Sequence, residues 1–323
     1  MSQSPHSPHQ TDAGAPSLVA DIGPIGGQAL VEGVMMRRAG AWGAAVRRLD
    51  GSIATTVATL PRDGEGARRI PLLRGPVSLW ESVSLGTRAM LWGAKERGTA
   101  DGKGYSKGGM ALTTLVAATL ATTFLLVIPA AIPHMLGIDG RWAFNAAETT
   151  LKLGILVGYM ALISLNREVK RTFSYHGAEH MTIHAFEHGV PLEPDQIRRF
   201  DRRHPRCGTA FLLLVVIVSL AVHLVIGDVS LPWLLASRIL GLPLIAGLAY
   251  EVIRFAGLHR HTTAGRILMA PGGWLQTLTT RPPDDDQIEV AVAALRATVA
   301  AEVDGGTPAP AEPVPAAVAG VSA

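Results

Sequence analysis

Phe211-Leu-Leu-Leu-Val-Val-Ile-Val-Ser-Leu-Ala-Val222 decides the fold: it is apolar throughout and carries no charge. With its flanks the run extends from Thr209 to Ile226, close to the about 20 residues a helix needs to cross a bilayer. Three other runs have the same character: Met110–Ile132, Ala147–Leu165 and Pro232–Ile253. The second opens with Glu148 and Lys152, an i, i+4 pair that can neutralise itself at an interface. The fourth contains Arg238, which must snorkel or face the bundle, and ends near Glu251. The whole chain is 48% hydrophobic and only 17% charged, too apolar for an ordinary soluble domain. These features predict a mainly α, polytopic membrane protein of about four spans.

Basic residues orient the spans. Arg74 to Lys107 carries six Lys/Arg and Arg167 to Arg206 carries eight, whereas the two alternate loops hold only Arg141 between them. The positive-inside rule then places both termini and a His-rich loop, 166–208, in the cytoplasm, and the chain in the inner (plasma) membrane. The bilayer is the expected partner. A net charge of +3 gives no reason to expect nucleic acid. The single cysteine, Cys207, excludes an intrachain disulfide.

Outside the spans, residues 1–20 lack an apolar h-region, so no cleaved signal peptide is predicted and the segment reads as a disordered tail. Residues 21–109 form a cytoplasmic region. Its glycines Gly26 and Gly27 suggest tight turns or close backbone approach. Trp42 to Leu60 reads as a β-hairpin turning at Asp50-Gly51, and Arg74 to Ala94 as an amphipathic helix on protein or at the membrane surface. A Gly/Lys linker, 98–109, follows. The four-span domain covers 110–257, and a cytoplasmic segment with a helix covers 258–302. In that segment Asp284–Asp286 complement a helix N-terminus, and Ile288, Val292, Leu295 and Val299 form a docking stripe. The tail from 303 to 323 reads as disordered.

The chemistry concentrates in Phe173–Gly189, which holds His176, Glu179, His180, His184, Glu187 and His188. On a helix, His176, His180, His184 and Glu187 fall within about 80° of arc, and Glu179 lies about 60° to one side. Histidines at i and i+4 can close on one metal ion with a carboxylate beside them as ligand or base. One ion cannot take all three, since His176 and His184 stand about 12 Å apart along the axis. The competing account is a solvated polar helix. His204-Pro-Arg-Cys-Gly208 could add an imidazole and a thiolate. Further ligand candidates are therefore Glu187, His204, Cys207 and Glu251, with Glu251 preferred because a carboxylate at the inner end of a span needs a partner. Glu32 reads first as an exposed carboxylate, His223 as a packed histidine, and His259 and His261 have no fixed direction.

Two resemblances bear on this. His176-x-x-Glu179-His180 is similar to the H-x-x-E-H pattern of inverted zincin peptidases, whose third ligand is a distant downstream Glu. Five stretches in order resemble the bacterial YqhQ-like family of predicted metal-dependent membrane enzymes: Gly26–Arg37, Tyr175–His184, His204–Gly208, Tyr250–Arg254 and Trp274–Thr280. The resemblance covers Gly23 to Ala301 and implies a metal-dependent enzyme with no established substrate.

The expected function is a metal-dependent, hydrolytic enzyme at the cytoplasmic membrane face, acting on a lipid or membrane-associated substrate. His176 and His180 are the expected ligands and Glu179 the group that activates water. The metal is a divalent ion, Zn first, with Mn or Fe as alternatives. The alternative is a scaffold or assembly factor whose His-rich loop holds a structural metal or a partner. A transporter ranks last, because few ionisable residues fall within the spans.

Overall fold

The computed structural model describes residues 25–38, 40–60, 69–98, 107–226, 230–259 and 261–303. The expected tails and most of the Gly/Lys linker lie outside the described residues. Four strands, β1 (Gly26–Leu30), β2 (Gly33–Arg37), β3 (Ala41–Arg47) and β4 (Ile53–Thr59), form an antiparallel sheet in chain order. Gln28 pairs with Met35, Met35 with Ala44, and Ala44 with Thr56. The hairpin over 42–60 is as expected. The stretch 26–37 forms the other two strands, and of the two uses expected for Gly26 and Gly27, Gly27 shows the close approach: a Cβ there would lie 2.6 Å from Glu179 Oε1. Val34 and Met36 face one side and Met35 the other, the period of two that a sheet covered on both faces requires.

One face of the sheet packs on α11 (Asp285–Val303) and α5 (Arg167–Glu187), joining Ile25, Val34, Met36 and Ala45 to Tyr175, Ile183, Ile288 and Leu295. The other face packs on α1 (Arg74–Glu96) through Leu85 and Ala89. The C-terminal stripe is thus part of the main core of this layer. Asp285 and Asp286 occupy the first turn of α11, where the helix dipole favours negative charge.

The apolar runs become helices. The first comprises α2 (Lys107–Thr122), a π-helical turn (Thr123–Val127) and α3 (Ile128–Met135). The π turn precedes Pro129, whose ring cannot continue regular i→i−4 bonding. The others are α4 (Arg141–Ile163), α7 (Gly208–Ile226), and a pair, α8 (Leu231–Leu240) and α9 (Leu242–Leu258). Among the described residues, three helices are long and apolar enough to cross a membrane, and up to four if the pair counts as one. The expected fourth run is divided between these two helices: the pair bends by 45°, where Pro243, which has no amide N–H, interrupts the hydrogen-bond ladder. Leu156, Leu213 and Leu275 join α4 and α7 to α10 (Thr263–Thr279). The expected loop 166–208 is largely the helix α5, followed by the short turn α6 (Pro194–Ile197).

Arg238 faces the bundle. Its Nε and Nη2 donate to Glu148 at 3.0 and 2.5 Å, and Lys152 donates to the same carboxylate at 2.6 Å. All three are buried.

Leu295 is fully buried between the sheet and α5. Leu295→Ala is expected to destabilise the sheet layer by about 2–5 kcal/mol. A lower midpoint of thermal unfolding in detergent checks this, and an unchanged midpoint contradicts the packing.

Candidate metal centre

Helix α5 starts where Asn166 accepts hydrogen bonds from the Glu168 and Val169 amides at 2.8 and 3.4 Å, a side-chain N-cap. Its middle, from Gly177 to Ile183, is buried despite its polar composition, so each polar group there needs a partner or a use. The chain after α10 runs tightly along this helix. The Arg281 amide donates to the Phe173 carbonyl at 2.9 Å. A Cβ at Gly177 would sit 2.1 Å from the Arg281 oxygen, so only glycine permits this approach.

That approach orients the histidines. His176 Nδ1 donates to the Thr279 carbonyl at 2.8 Å, and His180 Nδ1 donates to the Arg202 carbonyl at 2.6 Å. A carbonyl oxygen only accepts, so both rings hold their proton on Nδ1 and present the Nε2 lone pair. His176 Nε2 lies 3.2 Å from Cys207 Sγ, and the two imidazoles have centroids 4.3 Å apart. His176, His180 and Cys207 form a buried group with ligand atoms within 4.8 Å of one another, and it could hold one metal ion. His176 as a whole residue keeps partial exposure. Two pre-oriented imidazoles and a thiol suit a borderline-soft divalent ion, Zn2+ before the harder metals.

Glu179 is 3% exposed and its Oε2 has no hydrogen-bond partner. Burial pushes its carboxyl up to about 7, and the nearby His176 offsets this only in part. The carboxylate lies on the backbone of β1, where a Cβ at Gly27 would meet Glu179 Oε1 at 2.6 Å. A carboxyl balanced near neutrality is suited to taking and giving a proton.

His204 stands just outside the group. Its ring centroid is 5.5 Å from that of His180 and 4.7 Å from that of His184. Its Nδ1 accepts the Arg206 amide at 3.3 Å, and its buried Nε2 is unpartnered. Burial pushes it down to about 2, so the ring is neutral. Gln276 clamps its backbone from both sides, accepting from the His204 amide at 2.7 Å and donating to its carbonyl at 2.9 Å.

The other expected ligands have different partners. His184 Nε2 donates to the Arg203 carbonyl at 3.0 Å, and its ring stacks on Phe200. Burial lowers its pKa. Glu187 pairs with Arg206. Glu251, the preferred third ligand, is instead held by Arg74, whose Nε donates at 2.6 Å and whose Nη2 completes the pair. Cys207 stands in its place. His259 Nδ1 donates to the Phe255 carbonyl at the exposed end of α9. Glu32 is not a lone exposed carboxylate: it binds Arg171 and accepts the Tyr175 hydroxyl at 3.2 Å. Burial acts to raise Glu32, but Arg171 holds it below the usual carboxylate range. Thr279, Gln276 and Gly177 gave no chemical signal in the sequence, since they act through backbone atoms, an amide and a missing side chain.

Fold and site together define a helical protein with membrane-length helices, capped by a sheet-and-helix layer, with a His/His/Cys group where the two meet. The chain belongs to the family described as "Protein of unknown function (DUF1385)", which it matches over residues 70–301. It is similar to the "Uncharacterized protein YqhQ" of Bacillus subtilis (strain 168), with 32% identity over 286 residues, 83% of this chain and 89% of that protein. No solved structure matches it.

Three variants test the geometry. His180→Ala is expected to abolish Zn2+ binding, whereas His188→Ala, a ring that donates to the His184 carbonyl at the helix end, retains it. Elemental analysis of purified protein decides, and equal metal in wild type and His180→Ala refutes the site. Gly177→Ala displaces Arg281 and with it Thr279, and is expected to weaken Zn2+ affinity about 10–100-fold, read by chelator competition.

Proposed function

We propose that the chain is a metal-dependent hydrolase working at the cytoplasmic face of the membrane. The observation that carries this reading is the set of three converging ligand atoms, two imidazole and one thiol, beside a buried carboxyl with an unpartnered oxygen. Three protein ligands leave one tetrahedral position open, the pattern of catalytic rather than structural zinc. A bound Zn2+ would supply Lewis acidity and lower the pKa of water. His176 and His180 hold the ion in the orientation their carbonyl partners set. Cys207 supplies a thiolate ligand. Glu179, raised toward neutrality, accepts a proton from the attacking water and returns it to the leaving group.

The orientation follows from the Lys/Arg asymmetry and from chain order. The metal group lies where α4 leads into α5 and α7 begins, the same end of those helices as the basic segment 167–206. On a Cys207→Ser background, His188→Cys is expected to be protected from an impermeant external thiol reagent in intact cells, and Asp139→Cys to react. The reverse pattern would invert the topology.

A second reading, a scaffold with a structural metal, draws on one feature: the unpartnered His204 Nε2 could close the fourth position if its proton were given up, since Nδ1 already accepts the Arg206 amide in this tautomer. Cobalt substitution separates the two. An open site changes its visible spectrum when azide is added, and we expect this in the wild type and in Glu179→Gln with metal retained. An azide response that appears only in His204→Ala establishes the structural reading instead.

A further inference from the structure

A cavity of about 470 Å3 lies between the first half of α7, the end of α9 and α10, within the about 300–1,000 Å3 typical of small-molecule sites. Its deepest apolar residues are Leu213 and Ala256, 5% and 1% exposed. Its mouth is made by Ile217, Leu268 and Trp274, all exposed large hydrophobic residues. Ile217 belongs to a helix of membrane-spanning length, so the mouth is continuous with the apolar face of that span. The far end is lined by His204, Gln276 and Arg203.

The polar liners are nearly all engaged elsewhere. The Gln276 amide is clamped on the His204 backbone, and the Arg203 guanidinium is held by Asp201 at 2.6 Å. His204 Nε2 is left, buried and unpartnered, next to the His180 ring. A cavity with an apolar body, a mouth on the span surface and a histidine beside the metal group at its inner end fits an amphiphile lying tail outward. It does not fit a peptide, whose amides would find no partners among these side chains.

We propose that this cavity binds an acyl chain of a bilayer lipid and presents the polar end of that chain to His204 and the metal group. The lipid is then the substrate class of the site, a conclusion that rests on the hydrolase reading above. The lipid site itself does not depend on that reading.

The test uses the full chain in phospholipid vesicles containing a phosphatidylcholine with a photoactivatable acyl chain, with the labelled peptides mapped. Label is expected on 213–217 and 268–274 at about tenfold the yield on Leu112, Leu115 and Leu120 of α2, the contrast a site with roughly 1.4 kcal/mol of preference produces. Ile217→Trp and Leu268→Trp, each filling the mouth from a partly exposed position, should lower that label about tenfold with Zn2+ content unchanged. Equal yield on the cavity and on α2, or label unaffected by both variants, overturns the proposal. Cavity labelling in a wild-type protein that binds no Zn2+ upholds the lipid site and sinks the hydrolase reading.

Discussion

The close passage of residues 279–281 along α5 is the constraint on which the metal group depends. With no side chain at Gly177, the Arg281 oxygen comes within reach of the helix, and the Thr279 carbonyl then meets His176. The loop 201–207 does the same for His180 through Arg202. A histidine free to rotate offers either nitrogen. One whose Nδ1–H is held by a carbonyl offers only Nε2, aimed in one direction. The donor set is therefore oriented before any ion arrives, by backbone atoms from two segments distant in sequence.

Holding those segments against a polar helix requires apolar burial elsewhere. The sheet and α11 supply it, and they come from the two ends of the described chain, with Ile25 and Val34 meeting Ile288 and Leu295 around Tyr175 and Ile183. The turn between β1 and β2 adds a polar tie. Glu32 adopts a positive φ of 57°, which a residue with a side chain rarely does, and from there it reaches Arg171 and Tyr175 on α5. The same hairpin brings Gly27 against Glu179. One small sheet thus anchors the helix at its first turns and shields the carboxyl from water at its middle, and that shielding is what raises the carboxyl pKa.

Much of this was legible in the sequence, where the signal lies in side-chain type and period. The apolar runs marked the membrane-length helices, the spacing of His176 and His180 placed them on one face, and His204-Pro-Arg-Cys-Gly208 supplied Cys207 as a ligand candidate. Glu251 misled because a carboxylate near a span end seeks some cation, and the sequence does not say that Arg74 on α1 reaches it first. Strands β1 and β2 were hidden because glycine at 26, 27 and 33 masks the alternation that Val34, Met35 and Met36 carry. The break at Gly241 lay in view, with Pro243 two residues on, inside a run apolar enough to pass as one span.

Two buried polar clusters stand among the described residues, and they differ in how their groups are paired. Glu148 stands 15 residues before the end of α4, about 22 Å along the helix from the end that leads into α5. There both carboxylate oxygens accept from cations, and Arg238 takes Asn145 Oδ1 and Ser237 Oγ as well. Breaking such a pair by removing one partner costs about 3–5 kcal/mol, so the arrangement pins the broken α8–α9 pair to α4 and has no reason to change state. At the other end, His176 Nε2 and Cys207 Sγ meet at 3.2 Å and Thr209 Oγ1 lies 3.1 Å from the same sulfur, while Glu179 Oε2 and His204 Nε2 are buried without a partner. The first cluster pairs its carboxylate fully, with the neighbouring His223 Nε2 unpartnered, whereas the second leaves a carboxylate oxygen as well as an imidazole nitrogen unfilled, and it is there that the proposed site lies.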